Sequence, residues 1–252
     1  MTGLTGDEGA GPPPGAVTAI VPAAGSGRRF GGGKLWAAIA GQPVLAWTLR
    51  ALADPASGVD ALVVAAPVAD HDRVLAVAAA VAARIPCRCT EGGLRRQASV
   101  AAGLRLCATP WVVVHDGARP AVTPALVAAV IAAAQGTGAA TAALPVTDTV
   151  AEVDRPWGPA EVGADGPRLR AVPDRGRMVA VQTPQAFRID WLVEAHAAAS
   201  ACGRQADDDA ALVLAQGHPV AVVAGQALNR KLTTGPDLAA LADWLAGQGT
   251  GR

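Results

Sequence analysis

The sequence is short of several residue types, and each shortage narrows the class of protein. Tyrosine is absent, phenylalanine occurs twice, and charged residues make up only 17% of the 252 positions. Basic and acidic side chains number 21 each, so no net charge draws the chain to nucleic acid or to an anionic membrane surface. We therefore expect no nucleic-acid partner, and any basic site must be local.

Cysteine is also scarce, and its spacing excludes the commonest zinc sites. Cys87, Cys89, Cys107 and Cys202 do not form Cys-x-x-Cys pairs. Because nothing in the sequence indicates export, we expect reduced thiols that lie mostly in the core, and no metal-binding residues.

Long hydrophobic runs are missing as well. The longest, Ala125 to Ala134, is too short to span a bilayer. Residues 1–15 are rich in glycine and proline and lack the charged start and apolar centre of a signal peptide. We predict a disordered tail over residues 1–15 and a cytoplasmic protein with no membrane partner.

The residues that are abundant favour a large core. Hydrophobic residues make up 51% of the chain, and short apolar runs alternate with helical patterns. We predict helices over residues 42–53, 70–84, 94–107, 123–135, 189–202, 207–216 and from 236, and strands over 16–21, 60–66, 85–90, 111–115, 139–145, 178–182 and 219–223. This order indicates an α/β fold, with a mostly parallel, Rossmann-like sheet flanked by helices, in one domain over residues 16–248. Ligands of such sheets bind beyond the C-terminal ends of the strands.

The alternation of strands and helices stops between Pro145 and Asp174. Six proline and glycine residues lie there between two alternating runs, 147–153 and 168–172. We interpret this segment as a protruding β-arm at about 146–175. Because a long hairpin is only marginally stable alone, we predict that it packs against a second copy of the protein and forms a homodimer.

The first candidate site is the stretch Val21-Pro22-Ala23-Ala24-Gly25-Ser26-Gly27-Arg28-Arg29-Phe30-Gly31-Gly32-Gly33-Lys34, which follows the first predicted strand. Its glycines let backbone N–H groups approach an anion, and its three cations suit a triphosphate. It is not a Walker loop, because Arg28 occupies the first glycine position and Leu35 the hydroxyl position. It is not a dinucleotide fingerprint either, because Phe30 replaces the third glycine. A glycine-rich surface turn is the structural alternative.

Three more polar motifs lie at the ends of predicted elements. Glu91-Gly92-Gly93-Leu94-Arg95-Arg96-Gln97-Ala98-Ser99-Val100 enters a helix, where free N–H groups favour a polar ligand, although an ordinary helix start has the same pattern. His115-Asp116-Gly117-Ala118-Arg119-Pro120 ends a buried strand, so Asp116 can bind a cation or a sugar hydroxyl and Arg119 a phosphate. We interpret His115 as structural. We interpret Asp207-Asp208-Asp209 as acids that only offset a helix dipole.

Pro22-Ala23-Ala24-Gly25-x-Gly27-x-Arg29, with a lysine after it, resembles the signature loop of sugar-phosphate nucleotidyltransferases. The downstream motifs narrow the resemblance to the 2-C-methyl-D-erythritol 4-phosphate cytidylyltransferase family. They are Gly-Gly-x-x-Arg-x-x-Ser-Val from Gly92, His-Asp-x-Ala-Arg-Pro from His115, Pro-Val-x-Asp-Thr from Pro145, Val172-Pro173-Asp174-Arg175, Thr183-Pro184-Gln185-Ala186-Phe187 and Asn-x-Lys-x-Thr from Asn229. The chain departs from the family pattern at Leu35, Leu94, Arg95 and Asp207.

The resemblance implies a reaction, a cofactor and a set of residues. CTP and 2-C-methyl-D-erythritol 4-phosphate would give 4-diphosphocytidyl-2-C-methyl-D-erythritol and pyrophosphate, in non-mevalonate isoprenoid precursor synthesis, with Mg²⁺ bound mainly through the CTP phosphates. The implied catalytic residues are Arg29, Lys34, Arg175 and Lys231, with Arg175 reaching across the dimer. The implied CTP-binding residues are Pro22, Ala23, Ala24, Gly25, Gly27, Gly92 and Ser99. The implied acceptor-binding residues are Asp116, Arg119, Thr149 and Thr183.

Two other interpretations stay open at this point. A cytidylyltransferase that acts on ribitol 5-phosphate shares the loop, the Asn-x-Lys motif and the fold. A nucleotide-binding homologue without activity accords with the departures at Leu35, Leu94 and Asp207, and CTP binding without turnover would identify it.

Overall fold

The computed structural model describes residues 13–25, 27, 30–158 and 166–249, with side chains as far as Ala242. Residues 1–12 of the predicted tail and part of the predicted arm, residues 159–165, lie outside the described residues.

The predicted strands and helices occur in the predicted order, and two further two-residue strands lie at 38–39 and 42–43, so the helix predicted from residue 42 begins at Val44. The strands are β1 (Val17–Pro22), β2 (Ala38–Ile39), β3 (Gln42–Pro43), β4 (Ala61–Ala66), β5 (Cys87–Glu91), β6 (Trp111–Val114), β7 (Ala139–Pro145), β8 (Glu152–Val153), β9 (Leu169–Ala171), β10 (Val179–Arg188) and β11 (Ala221–Ala224). The helices are α1 (Val44–Ala53), α2 (His71–Val81), α3 (Arg96–Leu104), α4 (Pro124–Thr137), α5 (Ile189–Ala201), α6 (Asp209–Ala215) and α7 (Gly235–Gly249).

Seven of these strands form the central sheet, in the order β11-β7-β10-β6-β1-β4-β5. All neighbouring pairs are parallel except the two that β10 makes with β6 and β7. The chain runs from β1 through β4 to the β5 edge and then returns to β6 on the other side of β1. The C-terminal end of β1 is therefore the point where the strand order reverses, which is where open α/β sheets bind ligands.

Helices cover both faces of the sheet, because successive strand residues point in opposite directions. Val17, Ala19 and Val21 of β1 pack in the hydrophobic cluster that contains residues of α1, α2 and α4. Ile20 packs in the second cluster, with residues of α3, α5 and α6. Burying one such Val, Leu or Ile side chain contributes about 1.5–3 kcal/mol, so the unbroken apolar runs stabilise a sheet buried on both sides. The predicted α/β fold with a mostly parallel sheet is confirmed.

Several element boundaries differ from the predicted ones for local reasons. The strand predicted over 178–182 continues to Arg188, because β10 is paired on both sides in the sheet interior. Its register shifts between Val181 and Gln185, around Pro184, which has no N–H to donate to a neighbouring strand. The helix predicted from Asp207 begins at Asp209, because the Asp208 side chain accepts a hydrogen bond from the backbone N–H of Ala211 and caps the helix.

The predicted arm contains a small sheet of its own. β8 and β9 pair antiparallel and form a two-stranded sheet separate from the central one. The strands are shorter than the two predicted runs. Their use in dimerisation stays a prediction.

The cysteines are placed differently from the prediction. All four are unpaired thiols, but Cys202 is exposed and the other three are only half-buried, so the prediction that they lie mostly in the core is wrong. Cys87 and Cys89 lie on β5, an edge strand with a neighbour on one side only. Burial nevertheless raises the pKa of the Cys87 and Cys107 thiols to about 12, which keeps them protonated near neutral pH.

In the described part of the chain, no helix is both long enough and apolar enough to cross a bilayer.

Candidate active site

A cavity opens at the C-terminal edge of the sheet, beside the end of β1. Four segments form its wall: the loops after β1, β5 and β6 and the segment that precedes α7. The predicted site residues in the wall are Pro22, Ala23, Ala24, Gly25, Lys34, Ser99, Asp116 and Lys231. The other described residues of the wall are Leu35, Gly93, Leu94, Arg95, Arg96, Gly117 and Ala118.

The loop after β1 folds back on itself and carries Lys34 over the cavity. The Gly27 carbonyl accepts hydrogen bonds from the backbone N–H groups of Phe30, at 2.8 Å, and Gly32, at 3.2 Å. Gly27 has φ +61°, a left-handed conformation that favours glycine. A Cβ atom built on it would lie 3.4 Å from Cγ of Lys34, so the lysine stem packs directly across the turn. Gly27 thus supports Lys34 rather than forming the wall, and Arg29 lies outside the described residues.

The loop between β5 and α3 lies tightly against the end of β1. The Gly92 N–H donates to the Ala66 carbonyl at 2.9 Å, and a Cβ on Gly92 would come within 2.3 Å of Cβ of Ala24. Only glycine allows this approach. The Ser99 hydroxyl, in the first turn of α3, is within hydrogen-bonding distance of the carbonyl oxygens of Gly93 and Arg95. Gly92 therefore sets the position of the cavity wall, and Ser99 forms part of it.

Asp116, just after β6, is the electrostatic centre of the cavity. Its Oδ1 accepts from Arg96 Nε at 2.9 Å, while its Oδ2 lies 2.9 Å from Lys231 Nζ and 3.5 Å from Arg119 Nε. Burial by itself would raise the pKa of Asp116, but Arg96, Lys231 and Arg119 together hold it well below the usual range. The carboxylate is therefore permanently charged near neutral pH.

Arg119 and Thr183, both predicted to bind the acceptor, lie behind Asp116 and hold it in place. The Thr183 hydroxyl accepts from the backbone N–H of Asp116 at 3.1 Å, and its oxygen lies 3.1 Å from Nδ1 of His115. Arg119 Nη1 donates to the Asn229 carbonyl at 2.7 Å, and Asn229 Nδ2 donates to the Thr183 carbonyl at 2.7 Å. These bonds tie the β6 loop to the segment that carries Lys231.

The arm residues Thr149 and Arg175 are not brought to this cavity within one chain. Both are exposed, and Arg175 Nη1 donates to the Thr147 carbonyl at 2.7 Å. Among the described residues, the cavity wall includes neither of them.

The sequence interpretation missed the roles of Arg96 and Asp209. Arg96 matches the Gly-Gly-x-x-Arg motif, which by itself assigns it no role, but it bridges Asp116 and, at 2.6 Å, Asp209 Oδ2. The interpretation of Asp209 as an acid that only offsets a helix dipole is wrong, because its side chain is 1% exposed and ion-paired. The Gly-Gly-x-x-Arg spacing was the available signal for Arg96. Nothing local signals the contact of Asp209 with a residue 113 positions away.

The lysines of this chain are concentrated at the cavity. Only two of its 21 basic side chains are lysines, and both of them line the cavity. Lys34 Nζ lies 3.5 Å from the Leu232 carbonyl, so the loop after β1 contacts the segment that carries Lys231. Together with Arg96 and the glycine-rich loop after β1 (residues 23–34), the two lysines form a cavity suited to a polyphosphate.

Comparisons with known proteins agree with this site. The model of the 2-C-methyl-D-erythritol 4-phosphate cytidylyltransferase (IspD) family matches residues 17–246. Curated proteins of that name from Synechococcus sp. (strain JA-3-3Ab) and Thermus thermophilus are 40% and 41% identical to this chain. The alignments cover 87% and 91% of this chain, and 92% and 97% of those proteins.

Solved structures share the fold as well. The crystal structure of a Thermus thermophilus 2-C-methyl-D-erythritol 4-phosphate cytidylyltransferase is 37% identical, with a TM-score of 0.71 over 90% of this chain and 98% of that one. The 4-diphosphocytidyl-2C-methyl-D-erythritol synthase from Anaerococcus prevotii DSM 20548 is 26% identical, with a TM-score of 0.77 over 92% and 98%. On the strength of the family match over nearly its whole length, the chain belongs to the 2-C-methyl-D-erythritol 4-phosphate cytidylyltransferase family.

Proposed function

We propose that this protein joins CTP to 2-C-methyl-D-erythritol 4-phosphate, releasing pyrophosphate and forming 4-diphosphocytidyl-2-C-methyl-D-erythritol. Family membership supports the reaction. The observation that carries the proposal is the convergence of Lys34 and Lys231 on a cavity lined by the glycine-rich loop.

The reaction requires two anions to meet. A phosphate oxygen of the acceptor attacks the α-phosphorus of CTP, a P–O bond forms, and the bond to the leaving pyrophosphate breaks. Like charges 4 Å apart repel by about 4 kcal/mol at an effective dielectric constant near 20. Because a phosphate monoester is already largely ionised near neutral pH, the site needs cations more than it needs a general base.

The positions of the cations suggest a division of roles. Lys34, held by the glycine-rich loop, and Arg29 of the same loop would stabilise the transition-state charge and the pyrophosphate. Lys231, on the segment before α7 and paired with Asp116, would align the acceptor phosphate. Asp116 fits a hydroxyl of the acceptor, because its carboxylate stays ionised and lines the cavity.

Mg²⁺ is part of the proposal, as a counter-ion that neutralises negative charge on the CTP phosphates. Within the residues that the structure describes, no group of three His, Cys, Asp or Glu side chains could hold a metal ion. The oxygens of Asp116 are already engaged by three cations. We therefore assign the metal mainly to the nucleotide phosphates.

A homodimer is the proposed assembly, with the arm as its contact surface. The arm and the residues after it expose several large apolar side chains: Val150, Trp157, Leu169, Val172, Met178, Val179 and Val181. Exposed apolar side chains concentrated in one part of the chain favour a protein interface. Arg175 would then enter the cavity of the second protomer and contact its acceptor phosphate, with Thr149 beside it. For the compartment, we propose the cytoplasm, which agrees with the four unpaired cysteines.

The test is pyrophosphate release by the purified protein with CTP and Mg²⁺. The acceptors are 2-C-methyl-D-erythritol 4-phosphate and ribitol 5-phosphate, and ATP, GTP and UTP serve as controls. We expect release with CTP and the methylerythritol phosphate. A preference for ribitol 5-phosphate would replace the proposed acceptor, and CTP binding without release from either acceptor would overturn the proposal.

A further inference from the structure

A line of hydrogen bonds and ion pairs runs from α5 to the cavity. His196 of α5 lies with Nε2 2.9 Å from Oδ1 of Asp209, at the start of α6. Oδ2 of Asp209 is 2.6 Å from Nη1 of Arg96, and Nε of Arg96 is 2.9 Å from Oδ1 of Asp116. Lys231 completes the line on the other oxygen of Asp116.

Arg96 divides its guanidinium between two carboxylates that lie on different elements. It gives one nitrogen to each, and its third nitrogen, Nη2, is buried without a hydrogen-bond partner among the described residues. A guanidinium prefers to place two parallel N–H groups on the two oxygens of one carboxylate. In the observed arrangement, Arg96 makes no such pair and uses Nη1 for Asp209 instead.

This division leaves one oxygen of Asp116 for Lys231. If Arg96 turned its Nε and Nη2 edge fully onto Asp116, it would occupy both oxygens and compete with Lys231 for Oδ2. Arg119, 3.5 Å from the same oxygen, leaves room for the lysine.

We propose that Asp209, supported by His196, is a positioning residue for Lys231: it holds Arg96 away from one oxygen of Asp116, so that this oxygen keeps Lys231 in place. As far as it concerns acceptor binding, the inference rests on the proposed function. Asp209 itself is almost fully buried and is not among the described residues of the cavity wall, so it acts only through Arg96.

The first experiment needs no substrate. Lys34 and Lys231 are the only lysines, so amine acylation of the full chain followed by mass spectrometry gives two rates. In Asp209→Asn, we expect Lys231 to be acylated about threefold faster relative to Lys34, the change expected for loss of a half-exposed ion pair. Asp208→Asn keeps the helix cap and is the matched control, with an expected ratio equal to wild type. An unchanged ratio in a folded Asp209→Asn protein would overturn the inference.

A second experiment tests whether Asp209 affects Lys231 through Arg96. In Arg96→Gln the guanidinium of residue 96 no longer competes for Asp116, so the Lys231 ratio should stay at or below the wild-type value. Adding Asp209→Asn to Arg96→Gln should then change nothing, and this double variant leaves no unpaired buried charge even if Asp209→Asn alone fails to fold. Faster acylation of Lys231 in the double variant than in wild type would show that Asp209 does not act through Arg96.

Kinetics link the inference to the proposed reaction. Asp209→Asn should raise the KM for the acceptor about tenfold and leave the KM for CTP unchanged, because only acceptor alignment depends on Lys231. A structural defect would change both constants. If the wild-type protein released no pyrophosphate, the proposed function would fail, while the acylation rates would still decide whether Asp209 positions Lys231.

Discussion

At the scale of single residues, Asp116 shows how burial and charge together limit a side chain to one role. Three cations hold its pKa well below the usual range in spite of burial, so it cannot accept a proton near neutral pH. A general-base role is therefore excluded for Asp116. What it can do is accept hydrogen bonds and fix Lys231, which suits a reaction whose nucleophile is already ionised.

The first prediction at this scale concerns Lys34. Replacing it with alanine removes a charge that we assign to the transition state, so kcat should fall by about 10²–10³. Steady-state pyrophosphate release at saturating CTP measures the change, and the urea midpoint serves as the folding control. An unchanged kcat would refute the role assigned to Lys34.

His115 gives a prediction about pH. It is fully buried, with Nε2 3.2 Å from the Arg119 carbonyl, and burial lowers its pKa from 6.5 to about 4. In the unfolded chain the imidazole binds a proton below about pH 6.5, whereas in the folded protein it stays neutral. The free energy of unfolding is therefore unaffected by this group above pH 6.5. It falls as the pH drops towards 4, by roughly 3 kcal/mol in total, because only the unfolded chain gains the proton.

Urea unfolding at several pH values between 4.5 and 7.5 measures this effect. The wild-type free energy of unfolding should fall more steeply with acid than that of His115→Gln, because glutamine at position 115 does not titrate. Parallel pH profiles of the two proteins would contradict the prediction, whatever their absolute stabilities.

At the scale of elements, the β5–α3 unit forms one wall of the cavity. Its loop packs against the end of β1 at Gly92, and α3 packs on the sheet at Gly103, where a Cβ would come within 2.6 Å of the Ile20 side chain. Because Gly92 and Gly103 have no side chains, α3 can bring Arg96 and Ser99 close to the loop that carries Lys34. Backbone approach thus determines the width of the cavity.

The prediction for this unit is that Gly92→Ala separates the two loops. The added methyl group meets Ala24 and also the Ala65 carbonyl, at 2.9 Å, so the free energy of unfolding should fall by about 1–3 kcal/mol. The affinity for CTP should fall with it. Gly136→Ala is the control, because a Cβ at this position in α4 enters open space and should leave CTP affinity unchanged. Urea unfolding and CTP titration test both variants, and full CTP affinity in Gly92→Ala would contradict the prediction.

At the scale of the whole molecule, the proposed site is incomplete in one chain. Thr149 and Arg175 belong to the predicted acceptor site but lie on the exposed arm, whereas Lys34 lies in the cavity. A symmetric dimer would place the arm of each protomer against the cavity of the other. Each complete site would then contain residues of both chains.

Mixing two inactive variants tests this arrangement. Lys34→Ala and Arg175→Ala should each be nearly inactive, but a mixed dimer contains one site with both residues intact. Mixing the two proteins should therefore restore pyrophosphate release. If activity does not return although subunits exchange, Arg175 does not act across the dimer.

The contact surface itself can be tested with a matched pair of leucines. Leu169, on β9 of the arm, is 72% exposed, and Leu214, on α6, is 57% exposed. Leu169→Asp should shift the sedimentation coefficient towards that of a monomer at micromolar concentration, while Leu214→Asp should not. Dimers that persist unchanged in Leu169→Asp would place the interface elsewhere.

Much of the molecule follows from short stretches of sequence, because local patterns carry local information. Apolar runs of strand length alternating with helical patterns predicted the α/β sheet, and glycine motifs at strand ends predicted the loops that border the cavity. Five of the seven predicted CTP-binding residues lie between Pro22 and Gly27, so a contiguous motif is enough to find them. The β10 boundary was predicted poorly, because its pairing on both sides depends on strands far away in the sequence.

The order of strands and helices, the glycine-rich loop and the family motifs can all be identified in the sequence, since each depends on residues close together along the chain. Which charges meet, by contrast, depends on the folded chain. Arg96 reaches Asp209 across 113 positions and Arg119 reaches Asn229 across 110. A buried charge is stable only with a partner, and the fold alone determines which distant side chain is close enough to be that partner.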